Sequence, residues 1–165
     1  MDYNFKRVNR LTNKELEEYF EIGKSFYLKI FGKVKPTLKE TFFRKRKALF
    51  DNPNYFNYRI TKGNEFCGYV SLLIYENRLY LYDITFHETF KRTRAIIETI
   101  KFILFEENFA KFDKLYFAVD NKNDISYKTW LHLGAKIEKE HETKSAYYIE
   151  RQAVLDYLKR NRLTN

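Results

Sequence analysis

The sequence contains few of the residues that crosslink a chain or interrupt its regular structure. Among 165 residues there are 5 glycines, 2 prolines and 1 cysteine. The lone cysteine, Cys67, excludes an internal disulfide, and its position in the apolar run FCGYVSLLIY predicts a buried free thiol in a reducing cytoplasm. No repeat, low-complexity tract or Pro/Gly/Ser-rich linker divides the chain, so we predict one domain over residues 1–165.

Long apolar runs are also lacking. No stretch approaches the roughly 18 apolar residues that a membrane-spanning helix requires, and the N-terminal MDYNFKRVNRLT is too polar for a signal peptide. We therefore expect a cytoplasmic protein that does not bind membranes. His132 and His141 lack metal-ligand spacing with cysteine or acidic partners, so we predict no metal. The P-loop, the Rossmann fingerprint and the common nucleophile motifs are missing as well.

Aromatic and basic residues are what the sequence has in quantity. Hydrophobic residues make up 44% and aromatics 19% of the chain, which predicts a globular protein rather than a disordered one. The net charge of +9 favours anionic partners, namely nucleic acid, a phosphorylated cofactor or an acidic protein. Enrichment in Lys, Asn, Ile, Phe and Tyr is also expected from an AT-rich genome, which would add lysines that have no function.

The spacing of apolar residues predicts strands and helices in alternation. Tyr3 to Val8 is a predicted strand, and Thr12 and Glu15 have the spacing of a capping box that begins a helix. A second helix is predicted over 37–50, with the basic cluster RKRK at 44–47 interpreted as a solvated face. The runs YFNYRI, FCGYVSLLIY and LYLYDITF, separated by turn residues, predict a three-stranded antiparallel meander.

Helical and extended patterns alternate in the second half of the chain. Isoleucines and leucines at helical spacing from Ile96 to Leu104 are followed by the strand KLYFAV, by a short helix over 126–133 with Gly134 as its C-cap, by two short strands and by a last amphipathic helix. The predicted order is β-α-α-β-β-β-α-β-α-β-β-α. It indicates an α/β fold with a mixed, mostly antiparallel central sheet flanked by helices.

One stretch, VDNKNDISYKTWLHLGAKIEK at 119–139, carries a resemblance to a known family. A strand leads to Asn123, Ser126 follows three residues later, and Leu133-Gly134-Ala135 closes a short helix before the next strand. This arrangement, together with the order of elements, resembles the GNAT acyltransferase family, in which an Asn ends the fifth strand and Leu-Gly-Phe closes the helix. The likeness covers residues 55–150 clearly and the first fifty loosely.

The resemblance implies acetyl-CoA, or another acyl-CoA, as co-substrate. In the family the pantetheine arm inserts between the fourth and fifth strands, and the pyrophosphate binds at the start of the following helix. The implied contacts are the backbone of Ile84, Thr85 and Phe86, then Asn123 and Ser126, and a phosphate loop of Lys91, Arg92, Thr93, Arg94 and Ala95.

That loop departs from the family pattern. The family has Arg/Gln-x-x-Gly-x-Gly/Ala, whereas Arg94 and Ile96 stand at the two glycine positions here. Either the basic side chains replace the close approach of the backbone to the phosphates, or the anion site has decayed.

The resemblance also implies the catalytic positions. Asp83, on the fourth strand, stands where the family often has a general base that deprotonates the amine, although a structural carboxylate would give the same residue. Trp130 occupies the place of the tyrosine that protonates the leaving thiolate. An indole N–H donates a hydrogen bond but is not an acid near neutral pH, so we expect Trp130 to fill the core or to close the thioester channel.

Two functions therefore remain open from the sequence. The first is an acyl-CoA-dependent N-acyltransferase, in particular an N-acetyltransferase, that acts on an unidentified amine, for example on an acidic protein or an RNA-borne amine. The second is a catalytically impaired GNAT-like protein of a phage or mobile element, located in the virion or the host cytoplasm, that acts by binding or as a structural component. A nucleic-acid-binding module is a weaker third interpretation, and oligomerisation is left open.

Overall fold

The structure is a computed structural model that describes residues 2–90 and 92–163, without the side chains of Arg92 and Thr93. Over these residues the chain forms seven strands and five α-helices, with one 3₁₀ turn at Glu107–Phe109. The elements are β1 Tyr3–Val8, α1 Asn13–Phe31, α2 Leu38–Leu49, β2 Tyr55–Lys62, β3 Glu65–Tyr75, β4 Arg78–Phe86, α3 Arg92–Phe105, β5 Lys114–Asp120, α4 Asp124–His132, β6 Lys136–Lys139, β7 Lys144–Glu150 and α5 Arg151–Arg160.

The strands form a single mixed sheet in the order β1-β2-β3-β4-β5-β7-β6. The pairs are antiparallel except for β4 and β5, which run parallel. The predicted α/β fold class and the predicted order of elements are confirmed. None of the helices within the described ranges is long and apolar enough to cross a membrane.

Local chemistry places the ends of α1 where the sequence predicted them. The backbone N–H of Thr12 donates to Glu15 Oε2 at 2.8 Å, and the N–H of Glu15 donates to Thr12 Oγ1 at 3.2 Å, so the capping box is complete. Gly32 ends the helix in the left-handed conformation, with φ of 70°.

Helices cover the two faces of the sheet unequally. On one face α3 packs on β1 and β2 through Phe102, whose ring stacks on Phe5 and meets Tyr58 edge-on. On the other face α1 and α2 lie over β2, β3 and β4, and Tyr19 stacks on Tyr69 with ring centroids 4.4 Å apart. On this second face, Tyr116 and Tyr148 remain partly exposed where the sheet continues into β5 and β7.

Candidate functional site

The sheet opens between its two parallel strands. Within the described residues, β4 and β5 pair only at Leu79 with Leu115 and at Tyr80 with Tyr116. Directly after these pairs β4 bulges, because Ser71 and Leu72 of β3 pair with Asp83 and Leu81 and leave Tyr82 without a partner. A bulge bends a strand and increases its twist. The two strands therefore diverge and leave a V-shaped crevice through the sheet.

The crevice encloses about 430 Å³ between these strands, under α1 and α2. One wall carries Asp83, Ile84 and Thr85 of β4, and the other carries Asn123, Ser126 and Trp130 of α4 and the loop before it. A smaller cavity of about 60 Å³ shares several of these residues and extends to Phe86 and to Ile96 of α3. Sequence reasoning thus selected residues from two distant segments that the fold brings together around one space.

The predicted phosphate loop is only partly described. Lys91 lies outside the described residues, and Arg92 and Thr93 are placed only as the first two residues of α3. Arg94 is exposed, whereas the side chain of Ala95 is fully buried in the core. Ile96, at the second glycine position of the family, lines the small cavity. Of the described side chains, Arg94 is the one free to meet an anion at this helix start.

Asp83 is part of a buried polar network. Its Oδ2 accepts hydrogen bonds from Arg46 Nη2 at 2.8 Å and from the Tyr19 hydroxyl at 3.0 Å. Arg46 is only 5% exposed and also donates to the Tyr55 hydroxyl at 2.6 Å and to Ser71 Oγ at 3.2 Å. The interpretation of the whole cluster at 44–47 as a solvated helix face was therefore wrong for Arg46, because this residue faces the sheet.

Aromatic rings enclose the same guanidinium. Its carbon lies 4.6 Å from the ring centre of Tyr19 and 5.0 Å from that of Phe42. Burial by itself lowers the pKa of Arg46, but Tyr19 and Asp83 together raise it above its ordinary value, so the group stays charged. Burial, and then the neighbouring Asp83, raise the pKa of Tyr19 well above its ordinary value, so its hydroxyl remains a donor. Asp83 Oδ2 thus accepts two charge-assisted hydrogen bonds from the protein.

The other carboxylate oxygen of Asp83 is less constrained. Oδ1 has the Thr85 hydroxyl at 3.5 Å, at the limit of hydrogen-bond distance. Asp83 keeps 31% of its side chain exposed and lines the crevice, so Oδ1 is the atom that could meet a ligand there.

Asn123 caps α4 and also lines the crevice. Its Oδ1 accepts from the Ser126 backbone N–H at 3.1 Å, which is the N-cap interaction. The helix ends in a Schellman motif, in which Gly134 has φ of 97° and the N–H groups of Gly134 and Ala135 donate to Leu131 and Trp130. Asn123 Nδ2 makes no hydrogen bond to the residues that the structure describes, so this donor remains for a ligand.

Trp130 is a residue of α4 and lies between its two capped ends. It is 4% exposed, and its ring lies 4.3 Å from Phe117, centroid to centroid. The residue forms part of the crevice wall and leaves the space open. Its indole N–H has no partner in the described part of the chain and is not sealed from solvent. It is a second unused donor on the same wall as Asn123.

Sequence reasoning missed Arg46 and Tyr19 as parts of this site. Helical spacing offered a clue, because Phe42, Arg46 and Leu49 recur at intervals of four and three residues and so share one helix face. Among the described residues there is no group of three His, Cys, Asp or Glu side chains that could hold a metal ion.

No family model and no curated protein sequence matches the chain. Solved structures do match. An acetyltransferase from Thermus thermophilus aligns with a TM-score of 0.73 at 18% identity, over 91% of this chain and 97% of that one. FdhC, described as a nucleotide-linked sugar GNAT, aligns with a TM-score of 0.72 at 14% identity, over 98% and 93%.

A third similar structure contains a bound ligand. The Campylobacter jejuni N-acetyltransferase PseH in complex with acetyl coenzyme A aligns with a TM-score of 0.66 at 16% identity, over 90% of this chain and 99% of that one. At these identities the likeness establishes the fold, and the resemblance to the GNAT family is confirmed at that level.

Proposed function

We propose that this protein, which has the GNAT fold, is an acyl-CoA-dependent N-acyltransferase that uses acetyl-CoA to acylate an amine. The observation that carries the proposal is the crevice between β4 and β5, with two unused hydrogen-bond donors, Asn123 Nδ2 and the Trp130 indole N–H, on one wall. A crevice whose wall carries unused donors favours a ligand that supplies acceptors. The amide carbonyls and the thioester carbonyl of acetyl-CoA are such acceptors.

The residues present fit the pantetheine arm. Ile84, Thr85 and Phe86, which do not pair with β5, border the cavities on one side, and Asn123 and Ser126 border them on the other. Arg94, with Lys91 and Arg92 next to it in sequence, would meet the pyrophosphate at the start of α3. Bound acetyl-CoA supplies a thioester carbonyl, at which an amine forms the amide bond while the carbon–sulfur bond breaks.

Asp83 is the residue that we place at the amine. Its Oδ1 would accept a hydrogen bond from the substrate ammonium while Arg46 and Tyr19 hold Oδ2. The amine must lose a proton before attack, and Asp83 or a water molecule bound to it would receive that proton. An Asp83→Asn variant tests this role, and unaltered turnover would remove Asp83 from the mechanism. Asp51→Asn, at an exposed turn residue, is the matched control.

A second function is supported by different residues. Trp130 replaces the tyrosine of the family, and the side chain of Ile96 lines the cavity at a position where the family has glycine. Both changes favour a GNAT-fold protein of a phage or mobile element that binds a ligand or a partner without acyl transfer.

Ligand binding measured by thermal unfolding separates the two functions. A ligand that binds only the folded state stabilises it by RT ln(1 + [L]/Kd), about 2.7 kcal/mol at 100 times Kd. We expect acetyl-CoA at millimolar concentration to raise the melting temperature, and CoA to do the same. If neither ligand changes the melting temperature, the transferase proposal fails. Binding without release of free thiol from acetyl-CoA, over a broad panel of amines, would instead support the impaired protein.

A further inference from the structure

The crevice continues onto the part of the sheet that α1 and α2 leave uncovered. A shallow groove of about 610 Å³ runs from it across β4, β5 and β7, and Tyr82, Ala118 and Lys144 line both spaces. We call this space the tyrosine groove, and it is lined by Tyr75, Tyr80, Tyr82, Tyr116, Ala118 and Ala146. The small cavity beside Phe86 lies at the other end of the crevice, toward α3. The crevice therefore has two exits, and only one of them leads to the expected phosphate site.

Strand register explains the shape of the groove. Tyr80 pairs with Tyr116 and Tyr116 pairs with Tyr148, so three tyrosines form a row across three strands, with ring centroids 5.7 and 6.1 Å apart. Two residues further along β5, on the same face, Ala118 pairs with Ala146. Because the alanine side chains are much smaller than the tyrosine side chains, they leave a depression beside the rings. The neighbouring rings are tilted by 40° and 43° to one another, and this aromatic border favours contact with a ring-shaped ligand.

Several of the charges along this path are paired within the protein. Asp83 is paired with Arg46 at 2.8 Å, and Glu138 is paired with Arg78 at 2.8 Å. Asp120 has no ion pair within the described residues, and its Oδ1 accepts one hydrogen bond, from the Lys122 backbone N–H at 2.9 Å.

Among the described residues, Lys144 is the cation on this path that lacks a partner. It lies at the junction of the crevice and the groove, and it has no ion pair within the described part of the chain. A polyanion such as RNA would need several unmatched cations, and a polyamine would need several unmatched carboxylates. This path offers neither set.

We propose, on the basis of the transferase function above, that the acceptor is a small primary amine carried on an aromatic ring. Its ring would lie in the tyrosine groove against Ala118 and Ala146, and its amine would reach the crevice beside Asp83. This assignment differs from the acidic protein or RNA-borne amine that the net charge suggested.

The test compares amines of different chemistry with the full-length protein and saturating acetyl-CoA. Tyramine and phenethylamine are expected to be acetylated with kcat/KM at least tenfold above that for spermidine or glucosamine. The same two amines should bind to the complex with CoA in titration calorimetry, which does not depend on turnover. Preference for spermidine, for glucosamine or for an aminoacylated RNA would overturn the inference.

Filling the groove gives a second and sharper test. Ala146→Leu adds bulk in the groove at a residue that does not line the crevice, and it should raise the KM for tyramine at least tenfold, with the thermal shift by acetyl-CoA unchanged. Ala110→Leu, at an exposed position outside the groove, is the matched control and should leave KM unchanged. If Ala146→Leu also leaves KM unchanged, the ring does not bind in the groove and the inference is wrong.

The two proposals fail in different ways. Absence of any acetyl-CoA binding removes the transferase function and with it the acceptor assignment. Binding of acetyl-CoA with acetylation of a different amine class removes only the acceptor assignment.

Discussion

The two walls of the crevice differ in how completely their polar groups are paired. On the β4 wall, Asp83 Oδ2 accepts from two side chains, and Arg46 donates to three. On the α4 wall, Asn123 Nδ2 and the Trp130 indole N–H have no partner among the described residues. A paired network fixes side chains within the fold, whereas a donor that faces the crevice without a protein partner remains free to bind a ligand. The β4 wall thus contributes mainly to stability and the α4 wall mainly to binding.

The largest expected change in stability comes from a substitution on the β4 wall. Arg46→Met should lower the free energy of unfolding by about 3 kcal/mol, because removing one partner of a buried ion pair leaves the other uncompensated. Urea unfolding measures this change. Arg44→Met is the matched control on an exposed position of the same helix and should change stability by less than about 0.5 kcal/mol. Equal effects of the two substitutions would show that the Arg46 network does not stabilise the fold.

Close packing of β3 against β4 is the next target. A Cβ on Gly68 would lie 2.0 Å from the backbone oxygen of Thr85, so Gly68→Ala must displace the strand that forms the β4 wall. We expect a loss of about 2 kcal/mol, as for other overpacked sites, together with weaker acetyl-CoA binding.

The control for Gly68→Ala is Gly23→Ala, which is not expected to lower the free energy of unfolding. Gly23 lies inside α1, where an added Cβ would have no atom within 4 Å, and alanine is favoured over glycine in a helix by about 0.5–1 kcal/mol. Gly23→Ala should therefore leave stability unchanged or raise it. Destabilisation by Gly23→Ala similar to that by Gly68→Ala would contradict the steric explanation.

Two substitutions of Asn123 separate capping from binding on the α4 wall. Asn123→Ala removes both the cap and the free amide, so it should cost about 1 kcal/mol of stability and weaken acetyl-CoA binding. Asn123→Asp retains a capping oxygen and loses the donor, so stability should be kept while the Kd for acetyl-CoA rises about fivefold. Calorimetric titration and urea unfolding report the two quantities. Unchanged affinity in both variants would remove Asn123 from the ligand site.

The smallest expected effect on stability near neutral pH comes from the hydroxyl groups of buried tyrosines. Burial is the main cause that raises the pKa values of Tyr58 and Tyr69 to about 12, from an ordinary value of 10.0. The unfolded chain then loses these protons at lower pH than the folded chain, so their contribution to stability is complete below pH 10 and is lost between pH 10 and 12. We expect the free energy of unfolding to fall over that range, and Tyr69→Phe should make the fall less steep. A flat profile above pH 10 would contradict this assignment.

Much of the fold was predictable because its determinants are close together in sequence. The capping box of Thr12 and Glu15, the left-handed Gly134 and the apolar alternation of the strands each act over a few residues. The meander followed from strands joined by short turns, and the GNAT resemblance rested on Asn123 and Gly134, which cap the two ends of one helix. The placement of Asp83 and Asn123 in one crevice followed from that resemblance and not from periodicity.

What the sequence by itself determined is the succession of elements, the capping box of Thr12 and Glu15 and the C-cap at Gly134, while the family resemblance predicted that Asp83, Ile84, Thr85 and Asn123 share one site. Only the tertiary structure decided that Arg46 enters the core, that Asp83 is paired with it, and that the sheet leaves a tyrosine groove uncovered. Arg46 and Asp83 lie 37 residues apart in the sequence, and Tyr19 and Asp83 lie 64 residues apart. Helical and strand periodicity arise from backbone geometry within a few residues, whereas ion pairs and open sheet faces depend on which distant segments the folded chain brings together.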